Sequence, residues 1–326
     1  MFPPMARLII TNGDSAGDLL AASGIEADIL PWRDVLHEGP IVAGGLARST
    51  DIRSAFLAGR FGLELEEVAT DLGARDAVIR NHRAYETVEL WFEHDLYDQL
   101  QLLQILSFFA DEGRTAGLHL VQADDYLGRA TPETILRFAD RIRDVDEDML
   151  DAADMLWADL AMPTPENVVR RLDDPTDGLP FVVPSIQRFL EELPSPANGL
   201  GRTEATALSF LTEGAQSAID LFRRTIAGEA AAFMGDLSFF LMLHDLTDVP
   251  QPLLDGLSPL DEDDARRYER PLALTAAGRA VLASEDDRIR LDGIDRWWAG
   301  TRLRGRTTWR YDRETMNLIS PQASAA

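Results

Sequence analysis

The chain contains no cysteine and no lysine. The first absence excludes disulfides, thiolate nucleophiles and cysteine metal ligands. The second excludes a lysine Schiff base and the lysine of a Walker phosphate loop. All 31 basic residues are arginine. No apolar run approaches the ~20 residues that a membrane-spanning helix needs. Residues Met1–Arg7 carry no basic patch ahead of an apolar stretch, so no signal peptide is expected and the expected compartment is the cytoplasm. Positive charge is scarce as well. The formal net charge is −25, which opposes nucleic-acid binding, because that binding rests on neutralising phosphates. The imbalance is uneven. Residues 288–326 hold eight arginines and four acids, net +4, leaving −29 on residues 1–287, and residues 140–177 hold twelve acids against four arginines.

What is present suits a globular protein. Hydrophobic residues make up 45% of 326 positions, enough for full cores, and a length near twice ~150 residues favours two domains. Leu8-Ile9-Ile10 reads as a short buried strand followed by the turn Thr11–Ser15 and a helix that Gly24 ends. Ala27–Leu30 reads as a second strand closed by Pro31. Asp51–Arg83 is mostly helical in pattern. Val88–Phe92 is a third strand, Asp95 opens a helix carrying Leu96, Leu100, Leu103, Leu106 and Phe109, and Leu118–Val121 is a fourth strand. Strands alternating with helices predict a Rossmann-like α/β domain over residues 1–130 with a mostly parallel sheet. Thr131–Leu160 continues as an acidic helical pattern within a connector, residues 131–195, punctuated by Pro163, Pro165, Pro175, Pro180 and Pro184. Leu193–Gly201 collects Pro, Gly, Ser and Asn and is the expected linker. Helices over Thr203–Leu211, Gln216–Ile226 and Asp236–Leu246, then a strand Leu272–Thr275, predict a mainly α, winged-helix-like domain over 196–326.

In an open α/β sheet, ligands bind beyond the carboxyl ends of the strands. Those ends are polar here: Asn12, Gly13, Asp14 and Ser15 after strand one; Trp32, Arg33, Asp34, His37, Glu38 and Gly39 after strand two; Glu93, His94 and Asp95 after strand three; Asp124, Asp125 and Tyr126 after strand four. Many of these have a purely structural reading. Asp14 or Ser15 can cap a helix, as can Asp95. Asp98 and Gln99 fall in a helical first turn, where acids are expected. Trp32 can be core, and Asp124 and Asp125 turn residues. His37 and His94 each stand beside an acid, a pairing that sets a histidine's tautomer and suits acid/base work or metal ligation. The candidate catalytic residues are therefore His37, His94, Asp95 and Asp14. The candidate ligand-binding residues are Asn12, Gly13, Ser15, Arg33, Asp34, Trp32, Gln99 and Arg302. No metal motif is complete, although Asp14, Asp34 and Asp95 are candidates to hold a divalent cation. The Asn12–Ser15 turn offers backbone N–H groups at a helix N-terminus, which suit an anion such as phosphate. A single glycine is a weak form of that signal, and Asp14 would repel a phosphate unless a cation or Arg33 intervened.

Three segments occur together: IITNGDS (Ile9–Ser15), LPWRDVLHEGP (Leu30–Pro40) and ELWFEHDLYDQLQLL (Glu89–Leu103). Together they resemble the signatures of an uncharacterised bacterial family known as a numbered domain of unknown function. NGLGRTE (Asn198–Glu204), FMGDLSF (Phe233–Phe239), LALTAAGRAVL (Leu272–Leu282) and IDRWWAGTRL (Ile294–Leu303) resemble that family's usual C-terminal companion segment. Arg302 stands where the relatives' motif has histidine. The resemblance supports the fold and implies no reaction.

Residues 288–313 place Trp297, Trp298, Trp309 and Tyr311 among arginines. Arginine with aromatics can track and stack on single-stranded nucleic acid. A tail docked on its own acidic chain fits the net charge better. The leading expectation is an enzyme that binds, and hydrolyses or transfers a group on, a phosphorylated or nucleotide-like small molecule. The alternative is a non-enzymatic ligand sensor acting through a protein partner. The stretch Asp236–Leu246 has no arginine with which to read DNA. In a third reading the winged-helix-like half is a lid or dimerisation module. No nucleic acid and no membrane is expected as a partner.

Overall fold

The computed structural model describes residues 6–174, 176 and 178–321. The residues ahead of Ala6, read above for a leader, lie outside this range, as do Pro175 and Asp177 of the acidic, proline-punctuated stretch. The chain forms two compact units. One runs to Ile186 and includes Ala299–Thr301; the other comprises Gln187–Trp298 and the chain from Arg302 onward.

The first unit is a mixed α/β domain. In chain order it contains β1 (Arg7–Asn12), α1 (Gly13–Ala22), β2 (Asp28–Trp32), α2 (Gly45–Phe61), α3 (Leu65–Arg80), β3 (Thr87–Phe92), α4 (Leu96–Glu112), β4 (Leu118–Gln122), β5 (Arg143–Asp144), α5 (Glu147–Leu160) and α6 (Glu166–Arg171). The chain leaves this unit within α7 (Val182–Leu190). The five strands lie in the order β2-β1-β3-β4-β5. All neighbours are parallel except β5, which pairs antiparallel with β4 through Leu120 and Arg143.

Alternation along the strands sends side chains to opposite faces. Ile9, Trp91 and Val121 meet Ala16 and Leu20 of α1 on one face, with Leu127 and Ile135 beyond β4. Leu8, Ile10, Leu90 and Leu120 fill the other and are fully buried. β2 extends through Pro31 to Trp32 rather than stopping at the proline. It is an edge strand, so Pro31 can forgo an N–H donor. The helical pattern expected across Thr131–Leu160 is broken. Ile135–Arg141 is a run of 3-10 turns, and β5 then covers the open edge of β4 before α5 begins. An uncovered strand edge exposes unpaired backbone groups, and tertiary pairing of that edge overrides local helix propensity.

The second unit carries α8 (Arg202–Phe210), β6 (Gln216–Ser217), α9 (Ala218–Ala227), α10 (Asp236–Asp245), β7 (Leu254–Asp255), β8 (Pro271–Leu274), α11 (Ala276–Leu282), α12 (Arg288–Asp292), β9 (Ile294–Trp298), all of β10 (Thr301–Gly305) but its first residue, β11 (Arg310–Asp312) and β12 (Asn317–Ile319). Leu208, Leu221, Phe239, Leu243, Leu272 and Val281 form its core. The Pro- and Gly-rich stretch Leu193–Gly201 lies inside this unit and is packed rather than solvated. Leu193, Asn198 and Leu200 are buried, the Asn198 carbonyl accepts from Arg288 N, and the Ser195 carbonyl accepts from Arg310 Nη1. The arginines of the basic tail have partners of their own. Arg310 pairs with Asp287 at 2.6 Å, Arg296 with Glu204 at 3.1 Å, Arg290 with Asp286 at 3.0 Å and Arg302 with Asp295 at 2.7 Å. Trp298 stacks on Phe189, with ring centroids 4.6 Å apart.

Among the described residues no helix is long and apolar enough to cross a membrane.

Candidate functional site

From β1 the chain turns to β2 on one side and then crosses to β3 on the other. The carboxyl ends of β1 and β3 therefore flank the topological switch point, where open α/β sheets form their ligand crevice.

Gly13 makes the sharp turn from β1 into α1 with φ +52°, and a Cβ there would meet nothing within 4 Å. Asn12 occupies the N-cap position of α1 but does not cap it. Its amide is drawn to the other side of the crevice, where Nδ2 donates to Asp98 Oδ2 at 2.7 Å. No side chain caps α1, so its first-turn N–H groups keep the orphan character of a helix start.

Beyond β3 the backbone turns through Glu93, His94 and Asp95 into α4. Asp95 caps α4 by accepting from Asp98 N, and Asp98 Oδ1 accepts from Glu93 N at 2.6 Å. Glu93 reaches the loop after β4, where Oε1 accepts from Leu127 N at 2.7 Å. Three carboxyl groups converge in this way, with one oxygen from each within 4.8 Å of the others. Glu93 is 4%, Asp95 3% and Asp98 0% exposed. Burial pushes Asp95 up to about 7, the Glu93 carboxylate adding to it. Burial raises Asp98 well above the usual carboxylate range, with Asp95 and Glu93 next in weight. Burial also raises Glu93, against hydrogen bonds from Asn12 and the Leu127 and Gly128 N–H groups. An oxygen cluster of this kind is suited to a cation or to shared protons.

His94 turns away from these acids. Its ring lies 5.2 Å from that of Tyr126 and 6.0 Å from that of Phe181, and its carbonyl accepts from Ser185 Oγ. Burial lowers its pKa, partly offset by Asp125 and Asp124. The imidazole is therefore neutral at pH 7, and its Nδ1 is buried without a hydrogen-bond partner.

The other candidates divide into two groups. Asp14 and Arg33 meet at the surface, where Nη2 donates to Asp14 Oδ1 at 2.6 Å and Nη1 to Asp71 at 2.8 Å. Arg33 holds Asp14 below the usual carboxylate range, and Ser15 is exposed beside them. Asp34 is inside the protein, gripped by the Arg53 fork at 2.6 and 3.0 Å. Arg53 also donates to the Glu38 and Val35 carbonyls and so shapes the whole loop after β2. His37 is buried in that loop with its ring edge toward Tyr97, and Glu38 pairs with Arg60 rather than serving the histidine alone. Trp32 is fully buried. It donates to Gln104 Oε1 at 3.0 Å and lies under the Arg75 guanidinium. Arg302 belongs to the second unit.

The fold thus gathers Asn12, Gly13, Asp95 and Gln99 around two residues absent from the candidate sets, Glu93 and Asp98. Asp98 was legible in one respect. The run after it, Leu100, Leu102, Leu103, Ile105 and Leu106, covers most of the helix circumference with apolar side chains, which calls for burial on most sides. An acid one turn earlier could not then be the solvated first-turn residue that position usually holds.

No protein-family model matches the chain, and no curated protein matches it either.

Proposed function

We propose that the first unit binds a phosphorylated or nucleotide-like small molecule in the β1/β3 crevice and hydrolyses or transfers its phosphoryl group. The observation that carries this reading is the diverted Asn12 amide. By bonding Asp98 it leaves the N-terminus of α1 uncapped beside the crevice, and such a helix start favours an anion. His94, neutral and half-buried at the strand end, is the group to accept a proton from water or an acceptor hydroxyl. The segments that resemble the numbered bacterial family, Ile9–Ser15, Leu30–Pro40 and Glu89–Leu103, are those that build this sheet edge. Membership of that family is part of the reading. The test is calorimetry and thermal shift with nucleoside phosphates and sugar phosphates in Mg²⁺ or Mn²⁺. A saturable ligand should bind wild type and His94→Ala alike, with turnover falling about 100-fold or more in the variant. Absence of binding across the panel with either ion overturns the reading.

A second observation bears on the second unit. Its order helix, strand, two helices, two strands, with strands arranged β6-β8-β7, supports a winged-helix arrangement. In that arrangement α10 holds the recognition-helix position, yet Phe239 through His244 are all buried along it. This favours a protein-facing or internal role over base reading, which needs exposed polar side chains. A pull-down at native protein levels that recovers no specific partner would remove the partner version of this reading.

A further inference from the structure

We propose that Glu93, Asp95 and Asp98 hold a divalent cation, with Gln99 Oε1 as a fourth oxygen ligand. The argument starts from how this chain treats its other buried acids. Asp34 is matched by Arg53, Asp76 by Arg75, Glu204 by Arg296 and Asp287 by Arg310. The crevice acids are as deeply buried, lie together, and form no ion pair with any arginine among the described residues. Carboxyl groups this close cannot all ionise unless a positive partner stands among them.

Gln99 is an independent pointer. It is fully buried, its Nε2 donates to the Glu93 carbonyl at 2.6 Å, and its Oε1 has no hydrogen-bond partner. Side chains on a helix lean toward its N-terminus, and Gln99 stands one turn after Asp95. Its carboxamide therefore lies against the turn from which Glu93 and Asp95 project, with a neutral oxygen left over. Three carboxylates and an amide oxygen form a set for a hard cation with metal–oxygen distances of about 2.0–2.6 Å, namely Mg²⁺, Mn²⁺ or Ca²⁺. The chain has no cysteine, and His94 faces Tyr126, so the softer ligands that select zinc or copper are missing. The ion stands without the ligand reading above. Its role as the bridge between these acids and a phosphate at the start of α1 rests on that reading.

The test uses the full chain, stripped with EDTA and dialysed, with Mn²⁺ alone as the probe. Binding is followed by the loss of free-ion EPR signal and by thermal shift, with Mg²⁺ and Ca²⁺ as competitors. Saturable binding to a single class of site is expected. Asp98→Asn and Glu93→Gln should each weaken it about 10-fold or more, and Asp151→Asn, on the exposed face of α5, should leave it unchanged. If either carboxylate variant fails to fold, Gln99→Met serves in its place, with weaker binding expected. No saturable binding by wild type, or wild-type affinity in the folded crevice variants, overturns the site. Mn²⁺ binding with no phosphorylated ligand found keeps the ion and removes the ligand reading. Ligand binding in EDTA by a chain that takes no Mn²⁺ does the reverse.

Discussion

Asn12 and Asp98, 86 positions apart in the chain, are joined by a 2.7 Å hydrogen bond from the Asn12 amide to the Asp98 carboxylate. The bond ties the end of β1 to the first turn of α4 across the switch point. The Asn12 side chain held in this way makes no cap to α1.

Replacing that amide should reveal the charge it sits against. Asn12→Ala removes one hydrogen bond to a buried carboxyl and should cost about 1–2 kcal/mol. Asn12→Asp sets a fourth carboxylate against Asp98 and should cost more, on the order of 3 kcal/mol at pH 8 in EDTA. Urea denaturation of both variants gives the ordering, and Mn²⁺ should recover part of the Asn12→Asp loss. Equal losses would mean that the acids are already fully neutralised.

Asp95 sets a pH dependence. Burial raises its value from 3.8 to about 7 in the folded protein. Between those values the native state holds a proton that the unfolded chain has released. The stability contribution is therefore fully present below the unfolded value and is lost as pH rises through about 7. Asp95→Asn keeps a capping oxygen for Asp98 N and cannot ionise. In EDTA it should be more stable than wild type at pH 8, by on the order of 2 kcal/mol, with the gap closing toward pH 4. Denaturation midpoints at several pH values check the trend, and a gap that widens on acidification contradicts it.

Arg53 is the post around which the loop after β2 is wound. Arg53→Met strands Asp34, which is fully buried, and frees the Val35, Glu38 and Pro40 carbonyls. A loss of about 3–5 kcal/mol is expected. Arg53→Lys keeps the charge but not the two-pronged fork, and should recover only part of that loss. A double variant with Asp34→Asn, measured by chemical denaturation, should be less destabilised than the sum of the two single changes.

Two glycines with similar backbone angles should respond differently. Gly13, at φ +52°, faces open space, so Gly13→Ala should cost only the backbone preference, about 1 kcal/mol. Gly39, at φ +76°, would place a Cβ 2.3 Å from the Phe56 ring and 2.6 Å from Arg53 Nη1. Gly39→Ala should cost clearly more, about 3 kcal/mol, because it adds overpacking to the same strain. Melting temperatures of the pair separate the two effects.

Local pattern accounted for much of the fold. Short apolar runs at Leu8–Ile10, Val88–Phe92 and Leu118–Val121 are β-strands, and Asp95 opens α4 as a cap. β5 was not legible, because two residues paired to a strand edge leave no periodicity to read. Within the site, Asn12, Gly13, Asp95 and Gln99 stand out as polar residues at strand and helix ends. Glu93 looks like an ordinary strand-end acid, Asp98 like a first-turn acid unless the apolar run after it is weighed, and His94 looks like the partner of Asp95.

The sequence by itself determined the chemistry available to this protein: oxygen and imidazole groups without thiol or lysine, on the ends of alternating strands and helices. It did so because side-chain type and hydrophobic period are local properties. Only the tertiary structure decided which of those groups meet. Strand order put β1 beside β3 and so brought Asn12 to Asp98. The leucine-rich and largely buried α4 held Asp98 and Gln99 inside, and the turn after β3 sent Asp95 toward the acids and His94 toward Tyr126. Pairing between strands depends on contacts across the whole chain, and no window of sequence contains it.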